Sequence, residues 1–217
     1  MTKQSFKSTL NYYDENAVEF ACQTVSIDMH DLYELFINQL PLKDTQCILD
    51  VGCGSGRDAN YFAKQGHDVT AIDISAELIK WAQQHHISSR ITWYDLDFCS
   101  IEKQAWENKF TGIWACASLL HVPFFELPFI INSLLETLTD DGVMYLSFKY
   151  GEGERVDEKR FFCDIDEARW TTIVAKIPQM IEYDIWLSAD KRANCKNAWF
   201  NVMIKRMIIL EMLQDDE

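Results

Sequence analysis

An apolar run closed by an acid, followed by glycines at alternate positions, leaves this chain few folds to choose from. The segment is Ile48-Leu49-Asp50-Val51-Gly52-Cys53-Gly54-Ser55-Gly56, and a helical pattern starts at Arg57. A buried strand, a tight turn and a helix in immediate succession form the repeating step of a parallel α/β sheet. Gly52, Gly54 and Gly56 leave no side chain where a bulky ligand must touch backbone, and each tolerates backbone angles closed to other residues. The spacing also separates two kinds of ligand. A pyrophosphate-binding turn wants G-x-G-x-x-G, and here the third glycine comes one residue early. Asp50 sits where an approaching pyrophosphate would be repelled and a cation welcomed.

The rest of the chain repeats the strand–helix step. Helical spacing is expected from Asn11 to about Val25, and again over Asp28–Leu40, with Leu32, Leu35, Phe36 and Leu40 on one face and Pro41 ending it. Cys47–Val51 is the first strand, Arg57–Gln65 a helix with Gly66 as its cap, and Asp68–Asp73 the second strand. Ser75 caps a helix carrying Leu78, Ile79 and Ala82 on its inner face. Arg90–Tyr94 and Gly112–Ala117 follow as strands, then a helix with Leu127, Ile130, Ile131, Leu134, Leu135 and Leu138 on its stripe. Thr139-Asp140-Asp141-Gly142 is expected to turn the chain into strand Val143–Phe148. A polar loop over Gly151–Phe162, a helix over Asp164–Ile177 and two strands, Ile181–Leu187 and Trp199–Met207, complete the pattern. The expected fold is α/β, doubly wound, with a mostly parallel seven-stranded Rossmann-like sheet. An antiparallel edge strand and N-terminal helices serving as a lid complete it. One domain is expected over 1–217: a lid over 1–41, a cofactor-binding core over 46–150, and the last part of the sheet over 151–217.

Composition narrows the function classes. The 217 residues carry 20 Lys and Arg against 34 Asp and Glu, a net charge of −14, and no basic stripe; Lys191-Arg192 with Lys196 is the nearest cluster. Phosphate contacts supply most of the affinity of nucleic-acid binders, so a small-molecule substrate is favoured over a nucleic acid. No apolar run approaches the ~18 residues of a membrane span. Met1–Asn11 is polar, and the seven cysteines lack paired spacing, which points to reduced thiols and a cytoplasmic setting. No metal site is expected. The acidic end, Asp215-Asp216-Glu217, reads as a solvated tail.

In an open parallel sheet, ligands bind beyond the carboxyl ends of the strands. Asp50 ends the first strand there, and Asp73 ends the second, some twenty residues past the glycines, where an acid suits ribose hydroxyls. After the third strand, Asp95-Leu96-Asp97-Phe98 offers a carboxylate for an adenine amino group, from either Asp95 or Asp97, and apolar cover from Leu96 or Phe98. A nucleoside that also carries positive charge satisfies both ends of this site, and S-adenosylmethionine has a sulfonium and an ammonium.

On these residues, 46–150 resembles the class I S-adenosylmethionine-dependent methyltransferases, through Leu49–Gly56, Val69-Thr70-Ala71-Ile72-Asp73 and Leu138–Val143. Gly56-Arg57-Asp58 and Ala115–Pro123 are similar to the small tellurite-resistance-type methyltransferases. Tyr12-Tyr13-Asp14-Glu15-Asn16-Ala17 is similar to the N-terminal helix that many of them fold over the cofactor. The resemblance implies that Gly52, Cys53 and Gly54 offer backbone to the methionine portion, with Asp50 nearby and Gly56 completing the turn. It implies that Asp73 takes the ribose hydroxyls and Ile74 packs on adenine, which Asp97 or Asp95 frames with Phe98. Ala117 and Ser118 would lie near the transferable methyl, and Tyr12 or Tyr13 would close the site from above.

Methyl transfer from a sulfonium needs alignment more than proton chemistry. A general base helps only where the acceptor begins protonated; His121, after the fourth strand, is the candidate catalytic residue. It is equally placed to be a packing histidine ahead of Pro123. Lys149 and Tyr150 are further rim candidates. Two other classes compete. A nicotinamide-dependent oxidoreductase would want the glycine spacing that is missing here, and a non-catalytic S-adenosylmethionine-binding protein would bind the cofactor and transfer nothing. Ala117-Ser118-Leu119-Leu120 departs from the Asn/Asp-Pro-Pro-Tyr/Phe of enzymes that methylate base amino groups.

Overall fold

The structure is a computed structural model that describes residues 3–192 and 197–206, with side chains from residue 7. Lys196, Met207 and the acidic end Asp215-Asp216-Glu217 lie outside the described residues. Helices α1 (Lys3–Glu15), α2 (Ala17–Thr24) and α3 (His30–Ile37) precede β1 (Cys47–Val51). Then α4 (Arg57–Lys64), β2 (Asp68–Asp73), α5 (Ala76–His85), β3 (Ile91–Asp95) and β4 (Phe110–Ala115) alternate, followed by α6 (Leu127–Thr137) and β5 (Leu138–Lys149). A hairpin of β6 (Gly153–Asp157) and β7 (Arg160–Asp164), then α7 (Glu167–Val174), β8 (Ile181–Ala189) and β9 (Ala198–Arg206), complete the order.

Seven strands form one sheet in the order β3-β2-β1-β4-β5-β9-β8. β1 to β5 pair in parallel, and β9 runs antiparallel to both β5 and β8. The chain leaves β1 toward β2 on one side and reaches β4 on the other. Strand order therefore reverses at the carboxyl end of β1, where the glycine turn stands.

Alternate residues of each strand serve opposite faces. Leu49 and Val51 of β1 join the core under α6 and α7, with Ile113, Met144 and Leu146. Ile48 joins the other layer, with Phe36, Phe62, Trp114 and Tyr145 under α3 and α4. Period two therefore aims Asp50, two residues after Ile48, at the α3–α4 layer. The α6 stripe is no more than 1 % exposed at any of its positions from Leu127 to Leu138, and each such side chain contributes roughly 2 kcal/mol of burial. Ser75 caps α5, its Oγ accepting from the Leu78 N–H at 3.2 Å.

The structure departs from the sequence expectations in five places. The first helix starts by Lys3 and breaks at Asn16, whose amide donates to the Tyr12 carbonyl at 2.7 Å and competes with the helical ladder. Leu35 is 50 % exposed, unlike Leu32, Phe36 and Leu40. The fourth strand begins at Phe110 and ends at Ala115, two residues early at each end. The turn expected at Thr139–Gly142 is an excursion inside β5: Leu138 pairs with Phe110 and Val143 with Gly112, so four residues on β5 face one on β4. The expected loop over 151–162 is largely the β6–β7 hairpin, turning at Glu158 (φ 46°) and Lys159 (φ 69°). Neither is a residue type that advertises a left-handed turn.

Candidate active site

The glycine turn is built by backbone. The N–H groups of Gly52 and Cys53 both donate to the Ile72 carbonyl, at 2.8 and 2.9 Å, which docks the turn onto the end of β2. Gly52 has φ 70°, and a Cβ there would sit 2.4 Å from the Ser118 Cβ, so the loops after β1 and β4 approach closely only because the side chain is missing. Gly56 answers to a different need. A Cβ on it would meet the Trp93 ring at 2.6 Å, with Ala82 and His86 at 3.0 Å, so the third glycine seats α4 against β3 and α5.

A cavity of about 880 Å³ opens over this turn. Of the residues expected to meet a cofactor, Tyr13, Gly52, Cys53, Gly54, Asp73 and Ile74 line it, as do Asp97, Phe98, Ala117 and Ser118. His121, Lys149 and Tyr150 line it as well. Asp50, Gly56, Tyr12, Asp95 and Leu96 do not.

The two strand-end acids differ sharply. The Asp73 carboxylate accepts from the Gly54 N–H at 2.8 Å and the Ser75 N–H at 2.9 Å, which fixes it on the cavity wall. Burial pushes its carboxyl up to about 6, and those two N–H groups oppose the shift. Asp50 is 2 % exposed beneath the turn, and its Oδ2 has no partner among the described residues. Burial, with Asp58 beside it, holds its carboxyl well above the carboxylate range, which favours the neutral acid. The expectation that Asp50 presents a negative charge to a ligand is corrected by the strand's alternation, which turns it into the helix layer.

Beyond β3, Asp97 is half-buried on the wall and Asp95 is exposed off it. Asp97 also accepts from the Cys99 N–H at 3.1 Å, holding the short helical turn that begins at Phe98. At the end of β4, Ala117 has φ 54°, a left-handed conformation that costs a non-glycine residue energy. Its N–H is held by Ser147 Oγ at 2.8 Å. The next residue, Ser118, is 5 % exposed, and its Oγ has no partner among the described residues.

His121 lines the cavity, and both of its ring nitrogens are engaged by the protein. Its Nδ1 lies 2.6 Å from the Phe161 carbonyl, which can only accept, so Nδ1 carries the proton. Nε2 therefore accepts from the Tyr13 hydroxyl, at 2.8 Å. Burial pulls the imidazole down to about 4 and pushes the Tyr13 phenol up to about 12, with Arg160 opposing the phenol's rise. Tyr13 and His121 thus meet on the cavity wall as a hydrogen-bonded pair. Two further bonds tie α1 down over the site: the Phe161 N–H donates to Thr9 Oγ1 at 2.9 Å, and Ser75 Oγ donates to Asp14 at 2.6 Å. Tyr12 faces away, with the Arg160 guanidinium 4.5 Å from its ring.

Several wall residues went unnoticed in the sequence. Arg57 and Asp58 line the cavity at the start of α4, and Arg155, Arg160, Phe162 and Trp186 line its far side. Asp58 accepts from Arg57 Nε at 2.5 Å and Nη2 at 2.9 Å, from Trp114 Nε1 at 2.8 Å, and from the Tyr33 hydroxyl. Burial alone would raise its carboxyl, but the guanidinium and the other donors reverse this and hold it below the usual range. Arg57 and Asp58 are visible beside the third glycine. Tyr33 and Trp114 come from elements far away in sequence, so the network had no local signal.

Residues 48–142 match the methyltransferase domain family. The match takes in the glycine turn, the Asp73 strand end and β4, and covers less than half of the chain. A ubiquinone biosynthesis O-methyltransferase of Xanthomonas campestris pv. campestris is 35 % identical over 102 residues, 46 % of this chain. The chain spans 41 % of that relative's length. Among solved structures, a 1,6-didemethyltoxoflavin-N1-methyltransferase of Burkholderia thailandensis, with its substrate and S-adenosylhomocysteine bound, superposes with TM-score 0.62 at 19 % identity, covering 93 % of this chain and 85 % of that one. The [4+2]-cyclase SpnF superposes with TM-score 0.69 at 16 % identity, covering 91 % and 94 %. These structures share the fold. Because a cyclase is among them, the fold by itself does not specify methyl transfer.

Proposed function

We propose that this protein is an S-adenosylmethionine-dependent methyltransferase acting on a small-molecule acceptor. The observation that carries the proposal is the Asp73 carboxylate, clamped by the Gly54 and Ser75 N–H groups beside a turn with no Cβ at Gly52 or Gly54. A nucleoside needs a fixed acceptor for its ribose hydroxyls and bare backbone for its amino-acid tail, and this wall has both. The Ser118 Oγ next to Gly52, without a partner among the described residues, offers a further polar contact.

When bound, S-adenosylmethionine supplies an electrophilic methyl on a sulfonium, which leaves the protein to align and desolvate the reactants. Asp73 holds the ribose; Ile74, Asp97 and Phe98 frame the base; Gly52, Cys53 and Gly54 carry the methionine portion. Ala117 and Ser118 border the place where the acceptor must stand. Tyr13, with the rest of α1, covers the site and excludes water. An acceptor that begins protonated gives its proton to Tyr13 Oη as the phenol's own proton passes to His121 Nε2, while the Phe161 carbonyl keeps Nδ1–H in place. Acceptors without a proton to lose bypass this relay.

The small-molecule acceptor is supported by the size of the cavity, about 880 Å³, and by the acidic net charge of −14. We also read 1–217 as a single domain in a cytoplasmic setting, supported by six described cysteines that are all free thiols. Kinship with the tellurite-resistance-type enzymes is supported by Gly56-Arg57-Asp58 and the segment 115–123, parts of which meet at the cavity. The test is transfer of labelled methyl from S-adenosylmethionine to a panel of phenols, amines and thiols. We expect wild type to label at least one of them. Tyr13→Phe should then cost a phenol acceptor roughly 10²-fold and leave a thiolate acceptor nearly untouched. Binding of the cofactor with no transfer to any acceptor would favour the non-catalytic alternative.

A further inference from the structure

Arg57 has donors to spare. A guanidinium carries five N–H groups in a planar fork. Three are spent: Nε and Nη2 on the two oxygens of Asp58, and one on Nη1 on the Thr24 carbonyl at 3.4 Å. The remaining two, one on Nη1 and one on Nη2, have no acceptor among the described residues. The side chain is only 18 % exposed and lines the cavity beside Cys116 and the glycine turn.

Its orientation is not free to drift. Asp58 grips the guanidinium from behind, and Asp58 is itself fixed by Trp114 Nε1 at 2.8 Å and by the Tyr33 hydroxyl. Tyr33 is in turn stacked on Tyr61 with ring centroids 4.0 Å apart. Two unspent, charged donors on an immobilised fork at the cavity wall are ready to meet a ligand. They match a carboxylate, whose two oxygens accept a pair of parallel N–H groups. A lysine, with one point charge, could not be held or read in this way.

We propose that the outer edge of Arg57 is a carboxylate-recognition site in the cavity wall, held in register by the Asp58–Trp114–Tyr33 network. Two ligands could bring that carboxylate: the amino-acid end of the cofactor or an acidic acceptor. Only the first rests on the methyl-transfer reading above.

Calorimetry on the full chain distinguishes them, with wild type, Arg57→Lys and the double variant Arg57→Met/Asp58→Asn. The double variant removes both charges together, so no unpaired ion is left buried. The probes are S-adenosylhomocysteine, decarboxylated S-adenosylmethionine, and, on protein saturated with S-adenosylhomocysteine, 4-hydroxybenzoate against phenol. If the cofactor supplies the carboxylate, S-adenosylhomocysteine binds both variants about 10–100-fold more weakly, and the decarboxylated compound binds all three proteins alike. If the acceptor supplies it, S-adenosylhomocysteine is unaffected. 4-Hydroxybenzoate then loses about tenfold or more while phenol does not change. The proposal is overturned if, with circular dichroism showing folded variants, neither carboxylate probe binds them more weakly than wild type. Should wild type bind neither nucleoside, the methyl-transfer reading fails, and Arg57 is still judged by 4-hydroxybenzoate on the unloaded protein.

Discussion

The two walls of the cavity are made of different materials. The wall at the ends of β1, β2 and β4 is backbone: N–H groups of Gly54 and Ser75 clamp Asp73, and a left-handed Ala117 is pinned by Ser147. The wall at β5, β9, β8 and the hairpin is side chain. Tyr145 donates to Asn201 Oδ1 at 2.7 Å, Asn201 Nδ2 reaches Ser188 Oγ at 3.0 Å, and Arg155 binds Asp164 at 2.8 Å while its guanidinium lies 4.5 Å from the Phe162 ring. A backbone wall is set by the fold. A side-chain wall can be rewritten residue by residue without disturbing the sheet, and in the methyl-transfer reading proposed above it is the wall that would choose the acceptor.

The sharpest way to break this contrast is Gly52→Val. Left-handed strain and the clash with Ser118 together should cost about 3 kcal/mol, and S-adenosylhomocysteine binding should vanish in calorimetry. Affinity retained within tenfold would mean that the turn is not the cradle. Phe162→Ala, on the other wall, is expected to cost about 3 kcal/mol of stability in urea unfolding but to change S-adenosylhomocysteine affinity by less than about threefold. A larger loss of affinity would merge the two walls into one functional unit.

Protonation sharpens the comparison further. Asp73, raised to about 6, gives stability that is complete below its unfolded value near 3.8 and is lost as pH rises through about 6. His121, lowered to about 4, does the opposite: its contribution is complete above 6.5 and is lost as pH falls through about 4. The two slopes oppose one another over the same window. In urea unfolding across it, Asp73→Asn should steepen the loss of stability on acidification, and His121→Gln should flatten it; identical slopes in both variants would refute the assigned shifts. The smallest effect is expected from Trp186→Leu, half-buried on the side-chain wall. Stability should change by about 1 kcal/mol or less and S-adenosylhomocysteine affinity not measurably, with any change confined to acceptor turnover.

What could be read from the sequence follows the same division. The strands β1 and β2, the glycine turn, the Ser75 cap and the α6 stripe are local patterns, and each was legible to within a residue or two. The place of Asp73 on the cavity wall was legible because it ends a strand beside the glycine turn. Asp50 was misread: its charge is plain in the sequence, but its direction follows from alternation with Ile48 and from the cover of α4. The β6–β7 hairpin escaped because Glu158-Lys159 lacks the glycine or asparagine that marks such turns. Tyr13 meeting His121, 108 residues away, and Asp58 meeting Trp114, 56 residues away, depend on tertiary packing with no local trace. Gly56 was placed in the right turn for the wrong reason, since Trp93 and His86, not a ligand, forbid it a side chain.

The most direct test is calorimetric titration of S-adenosylhomocysteine into wild type and Asp73→Ala at neutral pH. If Asp73 and the turn hold the nucleoside, wild type binds and the variant binds about 10–100-fold more weakly with its fold intact by circular dichroism. No binding to wild type, or equal affinity for the two proteins, would contradict the account.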